Sequence, residues 1–483
     1  MRDARDLKSQ RRAKIICTLG PSTDDEGTLA QLLASGMDAA RINLSYGQMS
    51  EHVRRIEQVR ALSRSTGRRP ISVIVDLPGR KVRLGRIAGT KIALVERDQV
   101  RFVPDAGQEG DRNSIPVDRP FFHENMMSGD RILLGSGAVE LVVTGTAENE
   151  VSAEVVYGGT VREQAGVHAT GMPIRGGVLT EEDLPYLKMA VEQKVDYIGL
   201  SQVSDAEDIL NVKEKLDELG ADIPIIAKIE RSEAFARLDG ILRRADAVML
   251  RRGDLGAQIE ITRVPLVQKE ILRLANNRGV PAIIATQMLG SMVGSPRPTR
   301  AEASDVSNAI AGGADGVMLS TETAVGRYPI EAVKMMGSII RETEAERLVL
   351  HRDIGAESFP SPFADTTAKI AVTAAKETHA KLICCFTESG RTARLVAKYR
   401  PDVPIIAFAS AMQTRQRLAI NWGFRSDEMA AMSEVETMVG HVEKRLLDRG
   451  LVHPGDRLVI VFGAPVGEMG HTNSVRLHEV GAP

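Results

Sequence analysis

The sequence predicts an α/β fold built around a (β/α)₈ TIM barrel, and three observations support that prediction. Short apolar runs recur along the chain, helix-like segments separate them, and polar or glycine residues end each run. Buried parallel strands read as nearly continuous apolar runs, and their alternation with helices is typical of βα units. The eight runs are 13–20, 38–45, 71–79, 197–203, 224–230, 247–256, 281–288 and 316–323. Eight is the strand number of this barrel, and a doubly wound open sheet is the alternative.

The segments between these runs have helix signals. Residues 180–193 open with Thr180-x-x-Asp183, a variant of the pattern that caps helix N-termini. Such segments predict the helices that cover the outside of the barrel.

The barrel pattern is interrupted once and is followed by a second α/β pattern. Glycine, proline and short alternating segments from residue 86 to about 177 predict a small all-β domain inserted after the third strand. The segment 357–365 has the composition of a linker. We therefore predict a barrel over 1–85 and 178–345, an inserted β-barrel domain over 86–177, and a C-terminal α/β domain over 346–483.

The composition is that of a soluble globular protein. Hydrophobic residues make up 43%, charged residues 26%, and the net charge is −2, so nothing indicates nucleic acid or an anionic membrane as a partner. No apolar run approaches the length of a membrane span or forms a signal-peptide core. The three cysteines form neither a disulfide framework nor a metal-ligand spacing. We expect a reducing, cytoplasmic location.

Residues 224–256 are the most informative stretch. Lys228 and Glu230 lie two apart on a predicted strand and therefore share a face, and Asp254 follows the next run in a glycine-flanked turn. In this barrel, catalytic groups lie at the carboxyl ends of the strands. One ammonium and two carboxylates there can hold a divalent metal and an anionic substrate. A structural salt bridge is the alternative.

Other strand ends supply further candidates. Arg41 suits a phosphate or carboxylate because its planar guanidinium donates paired hydrogen bonds. Glu230 and Asp254 are hard oxygen ligands for Mg²⁺, and Lys228 can neutralise a phosphoryl group in transfer. The remaining candidates at strand ends are Asn43, Ser45, Asp76, Thr286, Ser320 and Glu322.

From about Lys14 to its C-terminus, the chain resembles the pyruvate kinase family. The matching motifs are KIICTLGPST, RINLS, AKIE, RRGDLG, TESGRTA and the long segment 281–328. The resemblance implies a catalytic barrel, an inserted domain that closes as a lid, and a C-terminal regulatory domain, usually in a homotetramer. It also implies the glycolytic transfer of a phosphoryl group from phosphoenolpyruvate to ADP, giving pyruvate and ATP.

The resemblance assigns roles to the phosphate and metal ligands. Arg41 and Arg83 would face the transferring phosphate, and Lys228 would stabilise it as it moves. Glu230 and Asp254 would hold Mg²⁺, with Mn²⁺ as the alternative ion, against the enolpyruvate oxygens.

A second set of implied roles concerns the enolate. Backbone N–H groups around Gly253 and Asp254 would face the substrate carboxylate. Thr286 would lie beside the enolate, while Ser320 and Glu322 would help to relay a proton to its methylene carbon.

The chain departs from the family at the monovalent-cation region. In potassium-dependent members, positions matching Asn43, Ser45 and Asp76 coordinate K⁺ together with a threonine, and a nearby glutamate supports it. Here Leu77 replaces the threonine and Lys81 replaces the glutamate. The pattern resembles the potassium-independent branch, so we expect Mg²⁺-dependent catalysis that does not require K⁺. A solvated surface lysine at position 81 is the alternative.

Two further departures lie near the substrates. Tyr46 replaces a histidine near the nucleotide, which Arg83 also faces, so we expect altered nucleotide contacts. Arg251 stands where a small residue is usual.

The segment 387–393 resembles the family's effector phosphate loop. Thr387, Ser389, Arg391 and Thr392 offer hydroxyl and guanidinium groups before a predicted helix, whose N-terminus favours anions. Glu388 stands where members activated by fructose 1,6-bisphosphate often have lysine, and its charge repels a second phosphate. We expect a monophosphorylated sugar or nucleotide effector, or none. An ordinary helix-capping loop is the alternative.

Two other functions stay open at this point. A catalytically weak or regulatory paralogue would account for Tyr46, for Pro78 and for the altered loop 201–208. A magnesium-dependent lyase acting on a pyruvate enolate would share the carboxylate pair but would not need the inserted and C-terminal domains.

Overall fold

A closed barrel of parallel strands forms the centre of the protein. The computed structural model describes residues 11–65, 70–80, 82–118, 122, 126–135, 137–169, 177–346, 361–432, 434–464 and 472–482. The chain begins with the barrel strands β1 (Lys14–Thr18), β2 (Ala39–Asn43) and β3 (Ser72–Asp76). An inserted domain follows with β4 (Val82–Arg83), β5 (Lys91–Leu94), β6 (Gln99–Pro104), β7 (Ser114–Val117), β8 (Arg131–Leu134), β9 (Val139–Ala147), β10 (Glu150–Tyr157), β11 (Gly159–Arg162) and β12 (Gly166–Ala169).

The chain then returns to the barrel and ends in a second α/β domain. The remaining barrel strands are β13 (Tyr197–Leu200), β14 (Ile225–Ile229), β15 (Ala247–Arg251), β16 (Ala282–Ala285) and β17 (Gly316–Leu319). The strands of the C-terminal domain are β18 (Leu382–Phe386), β19 (Ile405–Ala409), β20 (Phe424–Glu428), β21 (Arg457–Phe462) and β22 (Ser474–Glu479).

Helices cover both α/β domains. Those packed around the barrel or at its mouth are α1 (Glu26–Ser35), α2 (Met49–Ser65), α3 (Leu184–Glu192), α4 (Ala206–Glu218), α5 (Ser232–Ala236), α6 (Leu238–Arg244), α7 (Arg252–Leu255), α8 (Val264–Asn277), α9 (Arg300–Ala311), α10 (Thr321–Ala324) and α11 (Pro329–Ala345). Those of the C-terminal domain are α12 (Pro362–Glu377), α13 (Arg391–Lys398), α14 (Met412–Arg417) and α15 (Val435–Asp448). Within the described residues, no helix combines the length and the apolarity needed to cross a membrane.

The barrel confirms the predicted fold class. Its strands pair in parallel in the order β1-β2-β3-β13-β14-β15-β16-β17, and β17 pairs back with β1. Every one of them lies within one of the eight predicted apolar runs. The runs are apolar throughout because both faces of each strand are buried, one inside the barrel and one against the helices. The predicted cap also forms, since the Thr180 hydroxyl accepts a hydrogen bond from Asp183 N and the Asp183 carboxylate accepts one from Thr180 N.

The inserted domain has its own β-sheet core. Seven strands form one sheet in the order β4-β12-β8-β9-β10-β6-β7, and β5 pairs with β11. Alternate residues of β5 and β6 point inward and are buried, as expected for a sheet with one face exposed to solvent. The sheet lies between β3 and β13 in the sequence, so it rises from the carboxyl end of a barrel strand.

The C-terminal domain packs across the amino-terminal end of the barrel. Its sheet order is β20-β19-β18-β21-β22, with β22 alone antiparallel among these strands. The Tyr197 hydroxyl donates to Arg417 O at 2.9 Å, and Lys14 Nζ donates to Phe424 O at 3.0 Å. These contacts close one end of the barrel and leave the other end accessible.

The last part of the predicted linker 357–365 is helical. Residues 357–360 lie outside the described residues, whereas Pro362–Asp365 form the first turn of α12. Proline is compatible with this position because the first N–H groups of a helix have no partner within the helix. The predicted domain limits stay predictions.

Candidate active site

A cleft of about 790 Å³ lies between the carboxyl ends of the barrel strands and the inserted domain. Several predicted site residues line it: Arg41, Asn43, Ser45, Tyr46, Arg83, Lys228, Asp254, Thr286 and Ser320. Four others are buried around it: Asp76, Leu77, Glu230 and Glu322. The predicted residues of the barrel therefore converge, whereas the predicted effector residues lie in the separate C-terminal domain.

Two buried cations share one carboxylate on the floor of the cleft. Arg41 donates from Nε and Nη2 to Asp76 Oδ2 at 2.9 and 2.7 Å, and Lys228 Nζ lies 3.2 Å from the same oxygen. Lys228 also donates to Ser201 Oγ at 2.6 Å. Burial alone would raise the pKa of Asp76, but the Arg41 and Lys228 cations outweigh it and hold that pKa well below its usual range. Lys228 Nζ also lies 3.5 Å from Glu230 Oε1, so both cations belong to a larger buried network of opposite charges at the floor of the cleft.

The packing around Asp76 requires glycine on the next strand. A side-chain carbon at Gly199 would collide with Asp76 Oδ1, the oxygen that faces away from Arg41 and Lys228. Among the described residues, this buried oxygen has no hydrogen-bond partner. The close approach of β13 thus fixes the carboxylate that positions both cations.

The predicted metal ligands lie on either side of a third cation. Arg251 Nη1 is 2.7 Å from Glu230 Oε1 and 2.9 Å from Asp254 Oδ2. Burial would lower the pKa of Arg251, but the carboxylates of Asp254 and Glu230 raise it above its usual range. The other Glu230 oxygen accepts hydrogen bonds from Gln202 N and Nε2, at 2.9 and 3.0 Å. Both carboxylates are therefore held in place by protein groups.

The donor set suits a hard divalent cation bound together with substrate. Two carboxylates are a usual protein contribution to Mg²⁺, which keeps other positions for water and substrate oxygens. Within the described residues, no group of three or more His, Cys, Asp or Glu side chains forms a metal site. Glu230 and Asp254 would therefore hold an ion that takes its remaining ligands from outside the protein.

The inserted domain contributes His168, which the sequence reasoning missed. His168 lies on β12, and its Nε2 is 3.1 Å from Asp254 Oδ1. No pattern in the sequence marks this residue, because the contact depends on how the inserted domain packs over the barrel.

Thr286 and the helix α7 form one wall of the cleft. Gly253 N donates to Thr286 Oγ1 at 3.2 Å, and Arg252 Nη2 donates to Thr286 O at 2.9 Å. Thr286 has φ = 71°, a left-handed conformation that is rare for a β-branched residue. The surrounding contacts hold this strained residue so that its hydroxyl stays at the cleft.

Ser320 and Glu322 lie at the carboxyl end of β17. The Glu322 carboxylate accepts hydrogen bonds from Leu289 N at 3.1 Å and Ser320 N at 2.7 Å. Ser320 Oγ is buried without a hydrogen-bond partner among the described residues. Glu322 thus fixes two loops, and the Ser320 hydroxyl is left for a ligand in the cleft.

Comparison with known proteins identifies the family. The family described as "Pyruvate kinase, barrel domain" matches residues 10–333, and "Pyruvate kinase, alpha/beta domain" matches 365–478. The chain belongs to the pyruvate kinase family. It is 38% identical to a pyruvate kinase of Mycobacterium intracellulare over 98% of this chain and 99% of that one.

Relatives from other organisms give the same result. A pyruvate kinase of Geobacillus stearothermophilus is 38% identical over 98% of this chain and 81% of its own length. A crystal structure of a pyruvate kinase from Cryptosporidium parvum superimposes with a TM-score of 0.89 at 29% identity, covering 99% of this chain and 98% of that one. The protein is thus a phosphotransferase of the pyruvate kinase type. Pyruvate kinases bind phosphoenolpyruvate and ADP and generally use Mg²⁺ and usually K⁺.

Tyr46 connects the barrel to the inserted domain of this pyruvate kinase. Arg83, on β4, donates from Nη1 to the Tyr46 hydroxyl at 2.6 Å, and its guanidinium carbon lies 4.8 Å from the Tyr46 ring centre. This cation–π contact spans the mouth of the cleft. Tyr46 is 54% exposed, so a ligand at the mouth of the cleft can reach the residue.

The monovalent-cation region is described except for Lys81, which lies outside the described residues. Asn43 Oδ1 accepts a hydrogen bond from Ser45 N at 3.4 Å. Leu77 is buried and has no side-chain oxygen. The predicted independence from potassium stays a prediction.

The predicted effector loop connects β18 to α13. The Glu388 carboxylate accepts a hydrogen bond from Ser410 Oγ at 2.5 Å, and Thr414 Oγ1 donates to Glu388 O at 2.7 Å. Thr387 and Thr392 are buried, and Thr392 Oγ1 lies 2.8 Å from Thr472 Oγ1. Ser389 is exposed and Arg391 is half-buried. The predicted effector groups therefore do not form a single exposed cluster.

Proposed function

We propose that the cleft transfers the phosphoryl group of phosphoenolpyruvate to ADP through Arg41, Lys228, Thr286 and Ser320. The main observation is the sharing of Asp76 by two buried cations, Arg41 and Lys228. Asp76 holds both cations at the cleft, where they suit the oxygens of a phosphoryl group, because positioning and electrostatic stabilisation supply most of the rate in such transfers.

The residues act in two steps. In the first, the bond between phosphorus and the enol oxygen breaks while a terminal oxygen of ADP bonds to phosphorus. Arg41 binds the phosphoryl oxygens, and Lys228 neutralises the charge that develops during transfer. In the second, the enolate left behind takes a proton on its methylene carbon, delivered past the Ser320 hydroxyl. Glu322 positions Ser320 through its backbone N–H.

Glu230 and Asp254 are the proposed ligands of Mg²⁺, with Mn²⁺ as the alternative. A divalent cation there supplies electrostatic stabilisation of negative charge on substrate oxygens. The N–H of Gly253, now bonded to Thr286 Oγ1, would turn to the substrate carboxylate when substrate binds, and Thr286 would lie beside the enolate. Arg83 and Tyr46 are the proposed nucleotide contacts because they lie together at its mouth.

Substitution of Lys228 tests this proposal. Lys228→Met should lower ADP-dependent pyruvate formation by roughly 10³-fold or more, because a buried charge facing the phosphoryl group is lost. Lys213→Met is the matched control, since Lys213 pairs with Asp246 on the outer surface of the barrel. Both variants are assayed by coupled pyruvate reduction. Lys228→Met turnover within tenfold of the parent would overturn the proposed role of the lysine.

Potassium independence is supported by Leu77. A buried leucine offers no oxygen where potassium-dependent members have a threonine. We expect catalysis without K⁺ on this basis.

A monophosphorylated effector, or none, is supported by Glu388. Its carboxylate is fixed within the loop by Ser410 and would repel a second phosphate. Titration with sugar monophosphates, AMP and a sugar bisphosphate at subsaturating phosphoenolpyruvate tests this. Activation by the bisphosphate alone would contradict it.

The proposed homotetramer and reducing location have separate grounds. A tetramer follows from family resemblance, and light scattering should give the mass of four chains. The thiols of Cys17, Cys384 and Cys385 are free and buried. Burial raises the pKa of Cys384 to about 12, so its thiolate is scarce at neutral pH.

A further inference from the structure

Arg251 is placed in the gap between the two proposed metal ligands. We propose that its guanidinium competes with the divalent cation, so that a metal ion binds Glu230 and Asp254 only after displacing Arg251. The inference rests on the proposed assignment of these two carboxylates to the metal.

Arg251 Nη1 bridges the two carboxylates, and Lys228 Nζ lies farther away, 3.5 Å from the same Glu230 oxygen. Arg251 Nη1 lies 2.7 Å from Glu230 Oε1 and 2.9 Å from Asp254 Oδ2, the lengths of charge-assisted hydrogen bonds. Mg²⁺ binds carboxylate oxygens at about 2.0–2.1 Å. An ion coordinated by both of these oxygens would lie against Nη1, with no room for water between two positive charges. Cation and guanidinium therefore exclude one another.

The surroundings strengthen the competition. Glu230 is fully buried and its second oxygen is already bonded to Gln202, so it cannot turn a different oxygen toward a metal without losing those bonds. The second oxygen of Asp254 faces His168 at 3.1 Å. A metal ion that binds through the two oxygens facing Arg251 would leave the contacts with Gln202 and His168 in place.

Arg251 is also able to leave. Its side chain lines the cleft and remains 20% exposed. Its Nε is buried without a hydrogen-bond partner among the described residues, so the bonds through Nη1 are its principal anchor. Displacement into the cleft costs these two ion pairs but breaks no bond at Nε.

The experiment is a Mn²⁺ titration of the full-length protein without substrate, with free Mn²⁺ measured by electron paramagnetic resonance. Arg251→Met removes the charge and keeps the bulk of the side chain, Arg251→Ala opens the gap, and Arg251→Lys retains a cation. Arg243→Met is the control because Arg243 pairs with Asp239 on an exposed helix and the charge change is identical.

Removal of the charge should tighten Mn²⁺ binding at least about tenfold. A tenfold change in affinity corresponds to only about 1.4 kcal/mol. The Coulomb repulsion between a unit charge and a divalent ion about 4 Å apart is larger than this at an effective dielectric constant near 20. Arg251→Met and Arg251→Ala should both show the gain. Arg251→Lys and Arg243→Met should bind Mn²⁺ within about twofold of the parent, since a cation remains or the site is untouched.

Two different failures are distinguishable. In the first, the parent, Arg251→Met and Arg251→Ala bind Mn²⁺ equally well, and the further substitution Asp254→Asn abolishes binding. This result would overturn the competition but would support the assignment of the metal ligands. Binding that is unaffected by Asp254→Asn and Glu230→Gln would overturn the metal assignment itself, and the competition with it.

Discussion

Toward the amino-terminal end of the barrel the interior side chains are apolar apart from Lys14, whereas at the carboxyl-terminal end of the same strands several are charged. Strand β14 shows the change within three residues. Ile226 belongs to the apolar cluster inside the barrel, and Lys228 lies at the floor of the cleft. Ile420 of the C-terminal domain completes the apolar cluster. The same strands thus supply stability at one end and electrostatic binding at the other.

Two buried carboxylates show what the difference means energetically. Asp76, at the upper end of β3, has two cations, and its pKa is held below its usual range. Asp196, just before the lower end of β13, is an ion-pair partner of Arg60 at 2.8 Å. There burial outweighs the arginine and raises the pKa of Asp196 to about 6. At Asp76 the neighbouring cations outweigh the effect of burial on the pKa, whereas at Asp196 burial outweighs the neighbouring cation.

The largest expected effect comes from removing the Asp76 carboxylate that Arg41 and Lys228 share. Asp76→Asn leaves Arg41 and Lys228 buried without their shared anion and should lower the free energy of unfolding by about 3–5 kcal/mol. Turnover should fall by roughly 10²–10³-fold because both cations lose their position. Urea denaturation and the pyruvate assay measure the two effects. Asp239→Asn, which removes the ion pairs of an exposed carboxylate with Arg243 and Arg278, should cost about 1 kcal/mol or less. Equal costs for the two variants would contradict this contrast.

A substitution at the amino-terminal end of the barrel should change stability and leave turnover unchanged. Trp422 is buried between the guanidinium groups of Arg400 and Arg12, whose central carbons lie 4.7 and 5.3 Å from its ring. Trp422→Ala should cost about 3–5 kcal/mol of unfolding free energy, and Trp422→Phe, which keeps a ring, clearly less. Turnover per folded molecule should stay within about twofold, since no cleft residue is changed. A large loss of turnover in the folded fraction would show that the two ends are coupled.

The third prediction concerns the pH dependence of stability. The raised pKa of Asp196 means that the folded state binds a proton more readily than the unfolded state, whose aspartate pKa is about 3.9. This carboxylate therefore lowers stability as pH rises from about 4 to about 6, by about 1–3 kcal/mol. Asp196→Asn should remove that part of the slope in urea midpoints measured from pH 4 to 7. An unchanged slope would contradict the assignment.

Asp76 has the opposite effect on the pH dependence of stability. Its pKa is depressed in the folded state, so its stabilisation is fully present above the unfolded pKa and is lost as pH falls through the folded pKa. Above about pH 5, a unit beyond the unfolded pKa, Asp76 should therefore add almost no slope, and nearer pH 4 its slope is opposite to that of Asp196, which separates the two carboxylates in one titration.

The smallest expected effect concerns the monovalent cation. Replacing K⁺ with tetramethylammonium at constant ionic strength should change the rate by less than about twofold, because screening is unchanged and Leu77 offers no ligand. Initial rates at saturating substrates measure this. A collapse by orders of magnitude would contradict potassium independence.

The barrel and the charged residues at its strand ends could be predicted from the sequence because burial on both faces gives each strand a continuous apolar run. Lys228 and Glu230 are two residues apart on β14, so their shared face followed from strand geometry alone. Strands β20 and β22 were not predicted, since FRSDE and SVRLHE are half-polar sequences at sheet edges. Edge strands lack the burial that produces a continuous apolar pattern.

The contacts between the predicted site residues could not be predicted. His168 reaches Asp254 only because the inserted sheet packs over the barrel, and Ser201 holds Lys228 from a neighbouring strand. Arg251 stood out in the sequence as a large residue in a small position, but its pairing with both carboxylates depends on side-chain packing. These contacts join residues from separate strands and domains, which local sequence patterns do not encode.

The most direct test of the separation between the two ends is a side-by-side measurement of Arg41→Met and Ile420→Ala. For each variant, turnover and the free energy of unfolding are measured on the same preparation. Arg41→Met should lose roughly 10³-fold in turnover. Ile420→Ala should lose about 2–5 kcal/mol of unfolding free energy and keep its turnover. Arg41→Met turnover within tenfold of the parent, or a comparable turnover loss in Ile420→Ala, would contradict this separation.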